Sequence, residues 1–541
     1  MLPGAEYRHE AVRQERAIFR SLYTRENMAV GEQDPSSPFK LTRTHIAGMA
    51  LVSVIYFADI FLKASEKCYW YDELFTVYLC RLPSFSNIWT AVLHGADFNP
   101  PLFYLLTRGA QWLFGNGLIA TRLPSTVGVW VFGVCLFLFV ARRTGVVCGF
   151  IAGVFPFFTL AQYYAYEARA HGIILGWCGL ALLCWQRNAE GRAKYLWLAG
   201  FGLSLVGALL THVYGIYLLV PFAGVEFYSF LKRDRPNWGI ICAMLLAVVP
   251  VIAAVYLPLF RIYRATVPTS FLVPNHEVFQ SFLVAVFGPA ISVLLLSLVL
   301  FGLEGMRPAR FAITMANLSK REMLVAAGFT FIPLLGFLGS RVSHGPFLDR
   351  YFLSSIAGLA IFLGFANSHR QPGSRSAQAL AACMLLFMIG DLGATIYLVT
   401  GSHRILLIEP SSKLVVVTTP SDPMQMYQTV SLNHSGLDIL VLPSLDYFYF
   451  FEYAPPSVVS RLYFATASDV GFGLYEKLAR WGHVDFKTTT FRSFLAMHKN
   501  FLVYAGGSGA DLDAMQAIAS DGYRLTSAQG DAGGIMYEYA K

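Results

Sequence analysis

Two adjacent carboxylates, Asp72 and Glu73, stand in the stretch CYWYDELFTVYL (residues 68–79), hemmed in by Tyr69, Trp70, Tyr71, Phe75 and Tyr78. A placed carboxylate can take a proton from an attacking group or hold a cation. It can also be a solvated pair at the start of an amphipathic helix lying on a membrane surface. The next stretch with chemical content is ADFNPPLFYLL (96–106), with Asp97, Asn99, Pro100 and Pro101. Paired prolines remove two backbone donors and fix two φ angles, so they punctuate the chain before a helix expected over 102–114. ATRLPS follows, with Arg122 and Pro124.

Further along, ionisable residues recur at the ends of apolar runs. QYYAYEARAHG (162–172) carries Glu167 and Arg169, THVYG (211–215) carries His212, and SRVSHGPFLDRYFL (340–353) carries Arg341, His344, Asp349, Arg350 and Tyr351. Asp59 and Asp391 fall near or inside such runs. Ionisable groups at membrane depth are costly unless they pair or serve a pathway. Glu167 and Arg169 also read as an interfacial pair anchoring a turn, and His212 as a satisfied interfacial histidine. Asp59 is expected at the interface, and Asp391 is expected to pair within the bundle.

The elements that must position these residues are membrane helices. Of 541 residues, 55% are hydrophobic and only 14% charged, and mean hydropathy is +0.51. Soluble domains carry about 25% charged residues. Apolar runs long enough to be read as spans cover 46–62, 121–140, 146–163, 171–186, 195–211, 213–231, 239–260, 279–303, 323–339, 351–367 and 377–400. That is about eleven transmembrane helices.

The net charge of +8 is orientation charge and not a nucleic-acid signal. With the N-terminus in the cytoplasm, every second loop is basic: Arg142 and Arg143; Arg187, Arg192 and Lys194; Lys232, Arg233 and Arg235; Arg307, Arg310, Lys320 and Arg321; Arg370 and Arg375. Residues 1–45 then form a polar, Arg-rich cytoplasmic tail with no apolar core of a cleaved signal. Residues 46–400 form the membrane domain, with a long first outer loop at 63–118. Residues 401–541 lie outside. The eight cysteines show no metal spacing or redox motif, though Cys68 and Cys80 fall in one outer loop.

Past residue 401 the sequence turns polar. LDILVL (437–442), RLYFA (461–465), FLVYA (501–505) and GIMYEYA (534–540) read as strands. Residues 422–432, 470–481 and 510–520 read as helices. The alternation predicts a small extracytoplasmic α/β domain.

The order acidic pair, Asp-x-Asn-Pro-Pro-Leu-x-Tyr, Arg-Leu-Pro-Ser over residues 70–125 resembles the first outer loop of the GT-C glycosyltransferases. The resemblance is to the bacterial membrane branch related to dolichyl-phosphate-mannose protein mannosyltransferases and lipid A aminoarabinose transferases. Glu167-Ala168-Arg169 resembles that family's Glu-Ala-Arg turn, and Arg350-Tyr351 its Arg-Tyr pair. Protein mannosyltransferases have His-Pro-Pro where this chain has Asn99-Pro100-Pro101.

The resemblance implies a multi-pass plasma (inner) membrane enzyme. It would move a sugar from a polyprenyl-phosphate donor to a hydroxyl on a lipid, glycan or protein acceptor at the outer face, with inversion. It assigns Asp72, Glu73 and Asp97 to catalysis, with Asp72 as general base. Donor phosphate falls to Arg169, Arg341, Arg350 and His344, and substrate binding to Tyr71, Asn99, Glu167, His212 and Tyr351. A phosphate leaving group needs no separate acid, unlike a glycosidase's poor alkoxide, so one base and several cations form a sufficient set. The aromatics around Asp72 would exclude water and face a sugar ring, or would form an interfacial belt. Members of the fold differ on metal use, so a divalent cation is left open as a cofactor. The competing readings are a transporter or flippase of lipid-linked sugars, and a sensor or scaffold that binds through its α/β domain. A transporter or flippase would not need an acidic pair held in a long first loop.

Overall fold

The structure is a computed structural model. It describes residues 41–191, 193–266, 274–303, 319–343, 347–368, 375–400, 436–442, 444–466, 472–506, 512–531 and 534–541. The chain divides into two compact units, Met1–Gly48 and Met49–Lys541. Of the first, residues 41–48 are described, which include the start of helix Arg43–Glu66. Everything below concerns the second.

Among the described residues, eight helices are long and apolar enough to cross a membrane: Arg43–Glu66, Leu118–Thr144, Lys194–Thr211, Val213–Leu231, Trp238–Tyr263, His276–Leu300, Lys320–Val342 and Arg375–Thr400. The runs at 146–163 and 351–367 yield the shorter apolar helices Val146–Phe158 and Ser355–Ser368, and the run at 171–186 lies in helix Ala170–Ala189. Eight of the eleven apolar runs thus lie in helices long and apolar enough to span; the run at 146–163 breaks at Thr159, and that at 351–367 starts in a short turn. Lipid offers the backbone no partners, so a spanning segment must satisfy its N–H and C=O groups internally.

Helices Leu118–Thr144 and Ala170–Ala189 meet almost backbone to backbone. A Cβ at Gly128 would collide with the carbonyl oxygen of Gly172, and one at Gly176 would lie 2.9 Å from the Cα of Gly128. Small residues permit this approach where no hydrophobic effect drives helices together. The contact fixes the N-terminus of Ala170–Ala189, which begins just after Arg169.

The first loop folds into three short helices, Tyr71–Cys80, Phe85–Leu93 and Pro101–Phe114. The carboxylate of Glu73, in the first turn of Tyr71–Cys80, accepts from the N–H of Trp70 at 3.2 Å. Ser84 caps the next helix by accepting from the N–H of Asn87 at 3.1 Å. Pro101 opens the third at a position where its missing donor costs nothing.

The C-terminal part is a six-stranded sheet in the order β3-β2-β1-β4-β6-β5. The strands are β1 Ile439–Val441, β2 Leu462–Thr466, β3 Thr488–Thr490, β4 Asn500–Gly506, β5 Arg524–Asp531 and β6 Gly534–Ala540. The first four in that order run parallel, and β6 pairs antiparallel with both β4 and β5. The four strands read from the sequence are present. β3 is too short and polar to announce itself, and β5 carries little apolar pattern. Helices Phe472–Trp481 and Leu512–Ser520 fall where helices were expected. The expected helix over 422–432 lies outside the described residues.

The sheet faces two cores. Ile439 and Val441 join a core continuous with the helical bundle. Leu440, pointing the other way, joins Phe491, Phe494 and Ile518 in a separate core.

Candidate active site

Asp72 sits in the first turn of Tyr71–Cys80. Its Oδ2 lies 3.3 Å from a guanidinium nitrogen of Arg350 and 3.9 Å from one of Arg169. Arg169 also donates to the backbone carbonyl of Asp72 at 2.8 Å. Arg350 comes from the short turn Asp349–Phe352, and Arg169 from the turn before helix Ala170–Ala189. Three segments far apart in sequence thus converge on one carboxylate. Asp72 Oδ2 is buried yet accepts no hydrogen bond from any described residue. Two cations face it, and a lone pair is left unused.

Tyr351 stacks on Tyr214 with ring centroids 4.0 Å apart, and His212 lies 5.5 Å from Tyr351. His212 accepts from the N–H of Tyr214 at 3.2 Å. Burial, then the charges of Arg169 and Arg350, hold His212 down to about 3. It is a neutral imidazole at working pH and supplies no cation.

Asp97 is differently placed. Its Oδ2 accepts from Tyr104 at 2.6 Å and from Asn99 at 3.2 Å, and its Oδ1 from the N–H of Phe98 at 2.7 Å. Asn99 therefore orients Asp97. The field of Asp97 reaches Arg169, which ties this turn electrostatically to the Asp72 cluster.

Glu73 and Glu167, although adjacent in sequence to the convergent residues, lie in a second, wholly buried cluster. Arg122 grips Glu73 with two hydrogen bonds of 2.8 Å. It also donates to the carbonyls of Ala64 and Lys67 at 2.7 Å and of Cys68 at 3.1 Å. Lys67 lies between Glu73, at 3.7 Å, and Glu167, which it contacts directly. Glu73 also accepts from the N–H of Ala168 at 2.6 Å, and Glu167 accepts from the indole of Trp70.

The two glutamates are reciprocal ties. Each reaches from one of the two turns carrying Asp72 and Arg169 to the other. Burial alone would raise the Glu73 carboxyl. The charges of Arg122 and Lys67 and the Ala168 N–H outweigh it and hold Glu73 at about 2. Burial drives Lys67 down to about 7, against the pull of Glu73.

Other sequence candidates fall elsewhere. Tyr71 meets the rings of Phe75 and Phe448, at 5.2 and 5.4 Å. Arg341 is exposed, its guanidinium 6.0 Å from the Phe337 ring. His344 lies outside the described residues. Asp59, expected at the interface, is buried. Lys63 bridges it, at 2.8 Å, to Asp391, at 2.7 Å, and Gln162 donates to both. This pairing borders a cavity of about 230 Å³ lined also by Tyr56, Phe157 and Met388, apart from the Asp72 cluster. Among the described residues no three His, Cys, Asp or Glu side chains converge as a metal set.

Sequence alone does not single out Lys67, Tyr214 or His171, and marks Tyr104 only as the last residue of the Asp-x-Asn-Pro-Pro-Leu-x-Tyr motif. His171 is buried 5.2 Å from His212 and 6.0 Å from Tyr351. Its position two residues past Arg169, at the mouth of an apolar run, was the available signal.

No family model and no curated protein matches the chain. Among solved structures it is similar to ArnT from Cupriavidus metallidurans in the apo state. The TM-score is 0.56 at 15% identity, covering 91% of this chain and 97% of that one. The same protein bound to undecaprenyl phosphate gives a TM-score of 0.56 at 15% identity, covering 92% and 98%. An apo oligosaccharyltransferase from Archaeoglobus fulgidus gives 0.42 at 12% identity, covering 91% and 74%. The protein is a polytopic membrane protein with the GT-C fold, as its first-loop motifs imply.

Proposed function

We propose that the protein is a membrane glycosyltransferase that moves a sugar from a polyprenyl-phosphate donor to an acceptor hydroxyl. The observation that carries this reading is Asp72. Its buried Oδ2 has no hydrogen-bond donor but is faced by the guanidinium groups of Arg350 and Arg169.

In this reading the acceptor hydroxyl gives its proton to Asp72 as its oxygen bonds to the anomeric carbon. The bond from that carbon to the phosphate oxygen breaks, and its electron pair leaves with the phosphate. Attack opposite the leaving group inverts the anomeric centre. Arg350 and Arg169 hold the departing charge; a guanidinium's planar fork suits phosphate oxygens. Fixed cations at a developing negative charge cost no reorganisation at the moment of reaction. Tyr351, with neutral His212 beside it, offers a ring face and a polar edge to the sugar. The donor class also fits the undecaprenyl phosphate bound to the ArnT of similar fold. The basic-loop pattern supports a site on the outer face of the plasma membrane, with the α/β domain on the same side.

Mass spectrometry of envelope lipids and glycans from a deletion strain tests the reading. A species lacking one sugar is expected, restored by the wild-type gene and not by Asp72→Asn. Loss of the same sugar together with a lipid-linked sugar trapped on the inner side would favour a flippase. Restoration by Asp72→Asn would remove Asp72 as base.

A further inference from the structure

Among the described residues, the α/β domain meets the first-loop helices at Tyr71–Cys80 and at the end of Phe85–Leu93, and each contact lies beside one of the site's carboxylates. Helix Ser444–Tyr453 packs on Tyr71–Cys80. Phe448 meets the rings of Tyr71 at 5.4 Å, Phe75 at 5.3 Å and Tyr78 at 6.2 Å. Phe486 meets Tyr78 at 5.7 Å. Polar ties frame this aromatic contact. The N–H of Tyr69 donates to the hydroxyl of Tyr453 at 2.7 Å, and Arg81 forms a fork on Glu452 at 3.0 and 2.6 Å. The ties lie at the two ends of the helix that carries Asp72.

At the second place, Trp481 stacks on His94 with centroids 3.7 Å apart. His94 ends helix Phe85–Leu93, three residues before Asp97. Ile439, Val441, Tyr447 and Phe448 belong to the same continuous core as the bundle, so the domain is not an appendage resting on loops.

We propose that the α/β domain is a positioning device for the site: Phe448, Glu452 and Tyr453 clamp the helix carrying Asp72, and Trp481 clamps the turn leading to Asp97. The inference rests on the glycosyltransferase reading for what the clamp serves. Tyr71–Cys80 has only 10 residues, too short to hold its own shape in water. Arg122 and Glu73 fix its start from the bundle side, and the domain covers the opposite face. A misplacement of about 1 Å at a reacting group can cost on the order of 100-fold in rate, so loosening the far face should be felt at Asp72. None of the clamp residues touches the Asp72 carboxylate; they are positioning residues.

The test uses the full-length protein in lipid nanodiscs, with two readouts: sugar transfer, and hydrogen exchange over residues 71–80. Phe448→Ala, Trp481→Ala, Arg81→Glu and the milder Glu452→Gln are compared with wild type. Binding of polyprenyl phosphate is measured alongside. Turnover should fall roughly 10- to 100-fold in Phe448→Ala, with polyprenyl-phosphate affinity within about threefold. Exchange over 71–80 should rise. Combining Arg81→Glu with Glu452→Arg should recover most of the turnover lost in Arg81→Glu alone, which a general loss of stability would not produce. Wild-type turnover in folded Phe448→Ala and Trp481→Ala overturns the proposal. So does lost turnover with unchanged exchange over 71–80. If wild type transfers no sugar at all, the functional reading fails, and the exchange result alone decides whether the clamp exists. If Phe448→Ala does not fold, Glu452→Gln with unchanged turnover and exchange overturns it.

Discussion

A carboxylate serves as a base only if a lone pair is open to the incoming hydroxyl. Asp72 and Asp97 differ on that point. Asp97 spends Oδ2 on hydrogen bonds from Tyr104 and Asn99, whereas Asp72 Oδ2 accepts no hydrogen bond and has only the ion-pair contacts of Arg350 and Arg169. Asp72→Asn should therefore lower turnover by about 10²- to 10⁴-fold while polyprenyl-phosphate affinity, measured on the purified variant, changes less than about threefold. Retained turnover would end the assignment. Arg350 is tested by Lys. A phosphate fork should lose about tenfold or more in turnover in Arg350→Lys, because an ammonium presents one charge centre in place of a planar pair of donors. A side chain that merely reaches lipid headgroups would lose almost nothing. If Arg350→Lys and Arg350→Ala both keep wild-type rates, the leaving-group site lies elsewhere, with Arg169 the next candidate.

Between residue and molecule stand the two turns at 70–73 and 167–169. They are cross-tied by Glu73 and Glu167, with Lys67 and Arg122 completing the charge balance. Removing one partner of a buried pair strands the other and costs about 3–5 kcal/mol. Glu73→Ala should therefore lower thermal stability markedly, where Asp72→Asn should not. Equal melting temperatures for the two variants would count against the division between a base and its brace. The pH dependence has a defined sign. The Glu73 carboxyl titrates near 4.5 when unperturbed and near 2 in the folded protein. Its stabilising contribution is complete above pH 4.5 and is lost as pH falls through that value to below about 2. Melting curves between pH 6 and pH 3 should show a decline that Glu73→Gln largely lacks.

At the scale of the molecule, the bundle holds Arg169 and Arg350, the first loop holds Asp72, and the α/β domain backs the first loop. This division requires the loop and the domain to share one side of the membrane. Reporter fusions at residue 190 should read cytoplasmic and those at residue 450 external. A cytoplasmic reading at 450 would break both the orientation and the clamp.

The spans and the α/β tail could be read from sequence because a local property determines each: an apolar run must satisfy its own hydrogen bonds in lipid, and alternating strand and helix patterns persist over short windows. The convergence of Asp72, Arg169 and Arg350 was visible only as residue types at the ends of runs. Sequence treated Glu73 as the partner of Asp72, since neighbours in a string look like neighbours in a site. In a helix, adjacent side chains diverge, so Asp72 points to the cations while Glu73 turns into the bundle towards Arg122. Likewise Phe448 and Trp481 read as ordinary apolar residues, because their meaning depends on Tyr71, Phe75 and His94, hundreds of residues away. The sequence by itself determined which groups the protein owns and which segments are apolar enough to be read as spans. Tertiary packing alone decided which carboxylate keeps an open lone pair and which is consumed holding the fold, because burial and partner distance are properties of the folded chain.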